Sequence, residues 1–395
     1  MLSLALFTSN PDTAYIVEEI AQETEQFNLV IKSTPLPPAA EVFQFLKRFD
    51  PEVILLDLAE WNNSDLTAGD PRDVAGLARY IHASDLRAVV IGFGVSWNRL
   101  EQADFEAVGI VDLLQQPFSA VDLEKIVYDA LHRARPVSNQ NILAFLPAKA
   151  GGGCSVVTLN TAAAVANTFR QKVLLLEADR RSGPLAIMLN LKRHRGLPQA
   201  LKSAAALTDL TWQEQYVEVF GMHVLLAEPL HRGPHSGWAD YYQLLRFVQD
   251  QYDFVFADLP EVVNEASAEL VRCARGVFLV CTPEVPSLQM AIQRMAELKE
   301  YGVPRDRVHV LLNRQERDGL SRGDIEKALD RPLFATLPND YAQVRDAIIE
   351  SRLVAPASAF GESCQELALK ISGLAAPGRL EATFGLLSRL RKRAS

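Results

Sequence analysis

Short apolar runs alternate with amphipathic stretches along nearly the whole chain, and this alternation restricts the fold more than any other feature. Apolar runs bounded by turn residues read as strands buried on both faces. Helical-period stretches between them must cross over the sheet, so neighbouring strands run parallel. In the first third the strands are expected at residues 2–7, 29–32, 53–57, 88–91 and 109–114, with helices at 13–25, 40–48, 73–82, 100–107 and 118–133. A polar segment with one proline, ARPVSNQN, reads as a linker. A second series follows, with strands expected at 142–146, 173–176, 223–227, 254–257, 276–281, 308–312 and 332–336 and long helices at 156–169, 238–249 and 288–300. The expectation is an α/β protein of two doubly wound parallel-sheet domains, at residues 1–134 and 142–376, joined by a linker at 135–141 and ending in a separate tail at 377–395.

The chain's 395 residues, 48% of them hydrophobic, supply enough apolar material for two cores. A net charge of −9 argues against bulk nucleic-acid binding, which needs a basic face. Cys154, Cys273, Cys281 and Cys364 form no CxxC pair and no zinc spacing, which fits a reducing cytoplasm. The start MLSLALFTSNPDTAY has no basic region before its short apolar run, and nowhere is there a stretch of ~20 apolar residues, so a soluble cytoplasmic protein is expected. His231 and His235 in HRGPH have four-residue spacing, but Gly233 and Pro234 make this a loop rather than a helical metal face. No GxSxG hydrolase elbow is present.

Between an expected strand and helix lies Pro147-Ala148-Lys149-Ala150-Gly151-Gly152-Gly153-Cys154-Ser155. A phosphate loop needs backbone N–H groups turned toward oxygen atoms, glycines that permit the torsions, and a helix N-terminus aimed at the same anion. The order is right, yet the pattern GxxxxGK[ST] fails twice: Ala148 replaces its first Gly and Cys154 its Lys, while Gly153 and Ser155 match. On this loop alone, a glycine-rich turn with no ligand fits as well.

The loop resembles the deviant phosphate loop of the ParA/MinD family, KGGxGK[ST]T, with Lys149 at the extra signature lysine and Gly151 and Gly153 at family glycines. Four further stretches resemble family motifs in the same order: Glu177-Ala178-Asp179; Tyr252 to Pro260 (YDFVFADLP); Val308 to Arg314 (VHVLLNR); and Leu337-Pro338-Asn339-Asp340. Glu177 departs from an aspartate in the first of them. Within the family the chain is similar to the CpaE/TadZ branch, localisation ATPases of Tad/Flp-type pili. That branch often lacks the P-loop lysine and carries a receiver-like domain in front. Its late region reads much like TPEVPSL at 282–288 and ATLPND at 335–340.

The resemblance implies ATP and Mg²⁺ as ligands, held by Lys149, Ala150, Gly151, Gly152, Gly153, Cys154, Ser155 and Val156, with Asn313, Arg314 and Pro338 at the base. It implies that Ser155 binds Mg²⁺, Asp258 holds its water shell, Asp179 orients the attacking water, and Lys149 reaches the partner's phosphates in a homodimer. Replacing the lysine by Cys154 removes a charge interaction of roughly 4 kcal/mol at ~4 Å and an effective dielectric of about 20, so weak ATP binding with slow or absent hydrolysis is expected. Cys154 at a helix N-terminus could also be a reactive thiol, but a small residue that fits the loop is the favoured reading.

A working receiver needs a phosphorylatable Asp closing its third strand, and Asp57 stands there. It also needs an acidic pair after the first strand, a hydroxyl after the fourth and a Lys before Pro after the fifth; this chain has Thr8-Ser9-Asn10, Gly92-Phe93-Gly94 and Gln116-Pro117. The first domain therefore reads as a pseudo-receiver for docking or dimerisation. The expected role is a spatial organiser with pilus or secretion machinery as partner; a DNA-segregating ATPase and a nucleotide-free scaffold are the alternatives. Residues 379–393 (RLEATFGLLSRLRKR) form a short basic amphipathic pattern, which fits peripheral membrane contact and fits equally a helix packed on its own domain.

Overall fold

The computed structural model describes residues 1–34, 39–59, 74–83, 88–97, 99–137, 140–179, 183–191, 196–227, 236–316 and 318–373. The tail at 377–395, with its pattern at 379–393, and the HRGPH segment lie outside the described residues. The chain divides into two compact units, Met1–Val137 and Ser138–Ser395. Among the described residues, no helix is long and apolar enough to cross a membrane.

The first unit is built on strands β1 (Leu2–Phe7), β2 (Phe27–Ser33), β3 (Val53–Asp57), β4 (Val89–Gly94) and β5 (Ile110–Gln115), all parallel, in the order β2-β1-β3-β4-β5. This is the flavodoxin-like winding, and it fits a receiver-like domain. Helices Pro11–Glu23, Ala39–Phe49, Val74–Ala83, Arg99–Ala107 and Ala120–Ala134 supply the crossovers. Ala5, Phe7, Ile54 and Leu56 share one face of the central strands and pack with Val42, Leu46, Leu77 and Ile81. Helix Pro11–Glu23 starts where Asn10 accepts from the amides of Asp12 and Thr13 and Pro11 sets the first helical φ.

At the C-terminal edge of this sheet Asp57 is buried. The Thr8 hydroxyl donates to its Oδ2 at 2.6 Å and the Ala59 amide to its Oδ1 at 3.0 Å. Thr8 Oγ1 in turn accepts from the Asn10 amide at 3.1 Å, so the segment in place of an acidic pair tethers the carboxylate instead of helping it hold a cation. Leu58 lies against Gly92, where a Cβ would come 2.5 Å from Leu58 Cδ1. Gly92, inside β4, thus makes room for the apolar side chain that follows Asp57.

The second unit carries β6 (Ile142–Pro147), β7 (Val173–Glu177), β8 (Val217–Val219), β9 (Met222–Leu225), β10 (Phe254–Asp258), β11 (Gly276–Cys281), β12 (Val308–Gln315) and β13 (Leu333–Pro338) in the order β13-β12-β11-β6-β10-β7-β9-β8. All neighbours are parallel except β8, which folds back on β9. Sequence reading expected seven strands here and missed β8: Val217-Glu218-Val219 is too short to show alternation. Its signal was the two-residue turn Phe220-Gly221, whose φ values of +50° and +72° give the twist that tight hairpins require. Helix Cys154–Thr168 is apolar nearly all round and sits in the main core against helix Ala359–Ser372. Asn160, inside that helix, accepts from the Val354 amide at 2.9 Å and so fixes the chain entering the last helix.

Two outcomes test the sealed carboxylate. Thr8→Val should lower the first unit's stability by about 1–3 kcal/mol in urea titration, because it leaves Asp57 Oδ2 buried without a donor. Acetyl phosphate should leave Asp57 unmodified by mass spectrometry; a stable adduct at high occupancy would show that the tether opens.

Candidate phosphate site

The run Gly151-Gly152-Gly153 turns the chain from β6 into helix Cys154–Thr168. Gly151 has φ +78° and Gly153 φ +84°, in the left-handed region that glycine enters at little cost. A Cβ on Gly153 would also lie 2.5 Å from Asn313 Nδ2, so a side chain is barred there twice over. Gly153 precedes the helix and no side chain caps it, so the first-turn amides face the loop.

The loop's carbonyls are gripped from β12. Asn313 Nδ2 donates to Gly152 O at 2.9 Å, and an Arg314 guanidinium nitrogen donates to Gly151 O at 2.9 Å. The C=O and N–H of one peptide plane point opposite ways, so the Asn313 grip aims the Gly153 N–H away from β12. The grip depends on a bulge: Leu312 pairs with Thr336 but the next pair is Gln315 with Pro338, two residues against one, and Arg314 takes φ +57°. The resemblance implied that Asn313 and Arg314 flank the base. Both are engaged with the loop, while Pro338 stands opposite Gln315 one residue beyond Arg314.

Asp258 ends β10 between β6 and β7, in register with Phe145 and Glu177. It is 1% exposed, and neither carboxylate oxygen has a hydrogen-bond partner. Burial pushes its carboxyl up to about 7; the nearby polar side chains of Ser155 and Cys154 pull it back, and the charge of Asp179 raises it further. Glu177 is pushed up to about 8, again by burial first, although the Leu185 amide donates to Oε1 at 2.7 Å and the Ala227 amide to Oε2 at 2.9 Å. A proton is therefore retained at this end of the sheet near neutrality.

Cys154, in the lysine's place, is buried, and that burial, followed by the charge of Asp258, holds its thiol well above the usual range. It packs as a small buried residue, and its burial disfavours the thiolate that a reactive thiol needs. Thr158, one helical turn on, donates its hydroxyl to Cys154 O at 2.9 Å.

The structure thus gathers Ser155, Cys154, Asp258 and Asp179 into one electrostatic group, with Asn313 and Arg314 on the loop's far side. Lys149 and Ala150 are exposed, and Val156 is half-buried against the core. Sequence reading missed two parts. Glu177 looked like a conservative departure from an aspartate, yet its longer side chain clasps two backbone segments, the start of helix Pro184–Met188 and the chain after β9. Thr158 was legible only as a hydroxyl four residues after Cys154.

The donor set fits a hydrated divalent cation beside phosphate: a buried carboxylate with two unused oxygens, a hydroxyl at Ser155 and an uncapped helix start.

No family profile matches the chain. It is 27% identical over 243 residues to an uncharacterized ATP-binding protein of Methanocaldococcus jannaschii, covering 59% of this chain and 88% of that one. It is 23% identical over 260 residues to the septum site-determining protein MinD of Thermotoga maritima, covering 63% of this chain and 93% of MinD. Among solved structures, a ParA family ATPase from Chlorobium tepidum superposes with a TM-score of 0.55 at 20% identity, over 58% of this chain and 99% of its own. The MinC:MinD cell division complex of Aquifex aeolicus gives 0.51 at 19% identity, over 60% and 98%. The chain has the P-loop fold of the ParA/MinD ATPases.

Asp258→Asn should stabilise the ligand-free protein at pH 8, on the order of 4 kcal/mol by a conversion of ~1.4 kcal/mol per pKa unit. A raised carboxyl releases its proton near 4 when unfolded and near 7 when folded, so the native state loses stability as pH rises through 7. The advantage of the variant should therefore shrink as pH falls from 8 toward 4, which urea titrations across that range would read.

Proposed function

We propose that the chain is a nucleotide-dependent spatial organiser of the CpaE/TadZ kind, dimerising around Mg-ATP and hydrolysing it slowly or not at all. The observation that carries this reading is the buried, unpartnered Asp258 carboxylate beside a glycine loop whose lysine position is filled by Cys154. The relatives support the positioning half of it, since they include a septum site-determining protein.

On this reading the phosphates lie on the amides of Gly151 to Val156 at the start of helix Cys154–Thr168. Ser155 and, through water, Asp258 hold Mg²⁺, which when bound neutralises charge on the phosphates. A cation held there would supply the counter-charge that the buried Asp258 carboxyl lacks. Asp179 orients water. The exposed Lys149 is free to act across a dimer interface and supply part of the charge that Cys154 does not. Asn313, Arg314 and Pro338 border the base, and base contacts at Asn313 and Arg314 would then share residues that already hold the loop.

The first unit serves as a pseudo-receiver. Thr8 and Leu58 occupy the surroundings that a phosphorylatable Asp57 would need open, which leaves the unit for docking or dimerisation. Partners are pilus or secretion machinery on the cytoplasmic side, with residues 379–393 for peripheral membrane contact. A second reading, a scaffold without nucleotide, is favoured by Cys154 alone.

Saturating Mg-ATP, at ~100 times its dissociation constant, should stabilise the protein by about 2.7 kcal/mol and raise its melting midpoint by several degrees. Cys154→Lys should tighten binding and raise turnover. A midpoint that moves by less than about a degree, in both wild type and Cys154→Lys, would favour the scaffold.

A further inference from the structure

We infer that a cleft at the opposite end of the second unit's sheet is a site for a small phosphate-bearing ligand. The phosphate loop sits at the C-terminal ends of the strands; this cleft, of about 660 Å³, opens where β12 and β13 begin, at Val308 and Leu333. That is room for a small molecule.

Arg331 and Lys370 are held in place by carbonyls and a ring, and Asp306 and Asp330 share the cleft wall. Arg331 donates to Val308 O and, at 3.0 Å, to Arg305 O. Lys370 donates to Phe334 O and lies 4.1 Å from the centre of the Phe334 ring. Carbonyls and a ring orient these groups but cancel no charge. Among the described residues neither Arg331 nor Lys370 has a carboxylate in ion-pair range, while Arg305 is paired with Asp330 at 3.2 Å. His309 lines the same cleft, its ring 4.7 Å from that of Phe334. Burial, then Arg331, then Lys370, lowers its pKa, with Asp306 opposing, so the ring is neutral and can donate one N–H at neutral pH.

Arg331 and Lys370, neither in ion-pair range of a carboxylate, line one cleft with a neutral imidazole and favour an anionic ligand, and guanidinium geometry suits phosphate oxygens. An added peptide strand fits less well. The outer backbone of β13 is already taken where it begins: Arg322 donates to Leu333 O at 2.8 Å and the Leu333 amide to Glu326 at 2.9 Å.

The test uses the full chain and inorganic pyrophosphate without Mg²⁺, followed by calorimetry. Lys370→Gln should weaken binding about tenfold, while Lys370→Arg stays near wild type and neither changes the response to Mg-ATP. In crystals soaked with tungstate, the anomalous peak should lie between Arg331 and Lys370. Equal affinity in wild type and Lys370→Gln overturns the inference, as does a tungstate peak only at the Gly151–Ser155 loop. A peak in the cleft without the affinity difference means an adventitious ion only, and overturns it too. If Mg-ATP fails to bind but the pyrophosphate pattern holds, the proposed function falls and this site stands.

Discussion

A carboxylate buried with neither oxygen hydrogen-bonded is an expensive thing to keep in a fold, and Asp258 is such a group. The second unit is organised around tolerating it. Asp258 lies beside the central strand β6, at the switch point where the order of the sheet reverses, next to the loop that β6 delivers. Glu177 on β7 takes two backbone amides, and both carboxyls are shifted toward the protonated form. The Asn313–Arg314 bulge holds the loop from the other side. Together they hold the glycine loop and the uncapped start of helix Cys154–Thr168 at one end of the sheet.

Cys154 changes the electrostatics of that end without changing its shape. A lysine would bring a cation toward Asp258; the thiol brings neither charge nor a strong hydrogen bond, and the Thr158 hydroxyl oxygen lies 3.9 Å from its sulfur. The excess negative character is therefore balanced by a retained proton in the ligand-free protein. On the proposed function, this makes the loop more dependent on its amides than a lysine-bearing loop would be.

Much of this was legible in the sequence because parallel α/β folds write their strands as apolar runs. Ile142 to Pro147, Phe254 to Asp258 and Gly276 to Cys281 stand out for that reason, and the glycine run between strand and helix marks the loop. What was hidden depends on contacts distant along the chain. Nothing local shows that Asn313 meets Gly152, 161 residues earlier, or that Thr8 meets Asp57, 49 residues later. The bulge in β12 is invisible because Asn313-Arg314 carries no glycine to advertise the positive φ at Arg314. Strand β8 was too short to register a period.

The central claim is that Asp258 is kept ionisable and unpartnered so that a hydrated cation can sit between it and a phosphate. Calorimetric titration of ADP into the full-length protein and into Asp258→Asn, each with and without Mg²⁺, measures this most directly. The account predicts that Mg²⁺ strengthens nucleotide binding markedly in the wild type and adds little in the variant. An equal Mg²⁺ effect in both proteins, or no nucleotide binding in either, would contradict it.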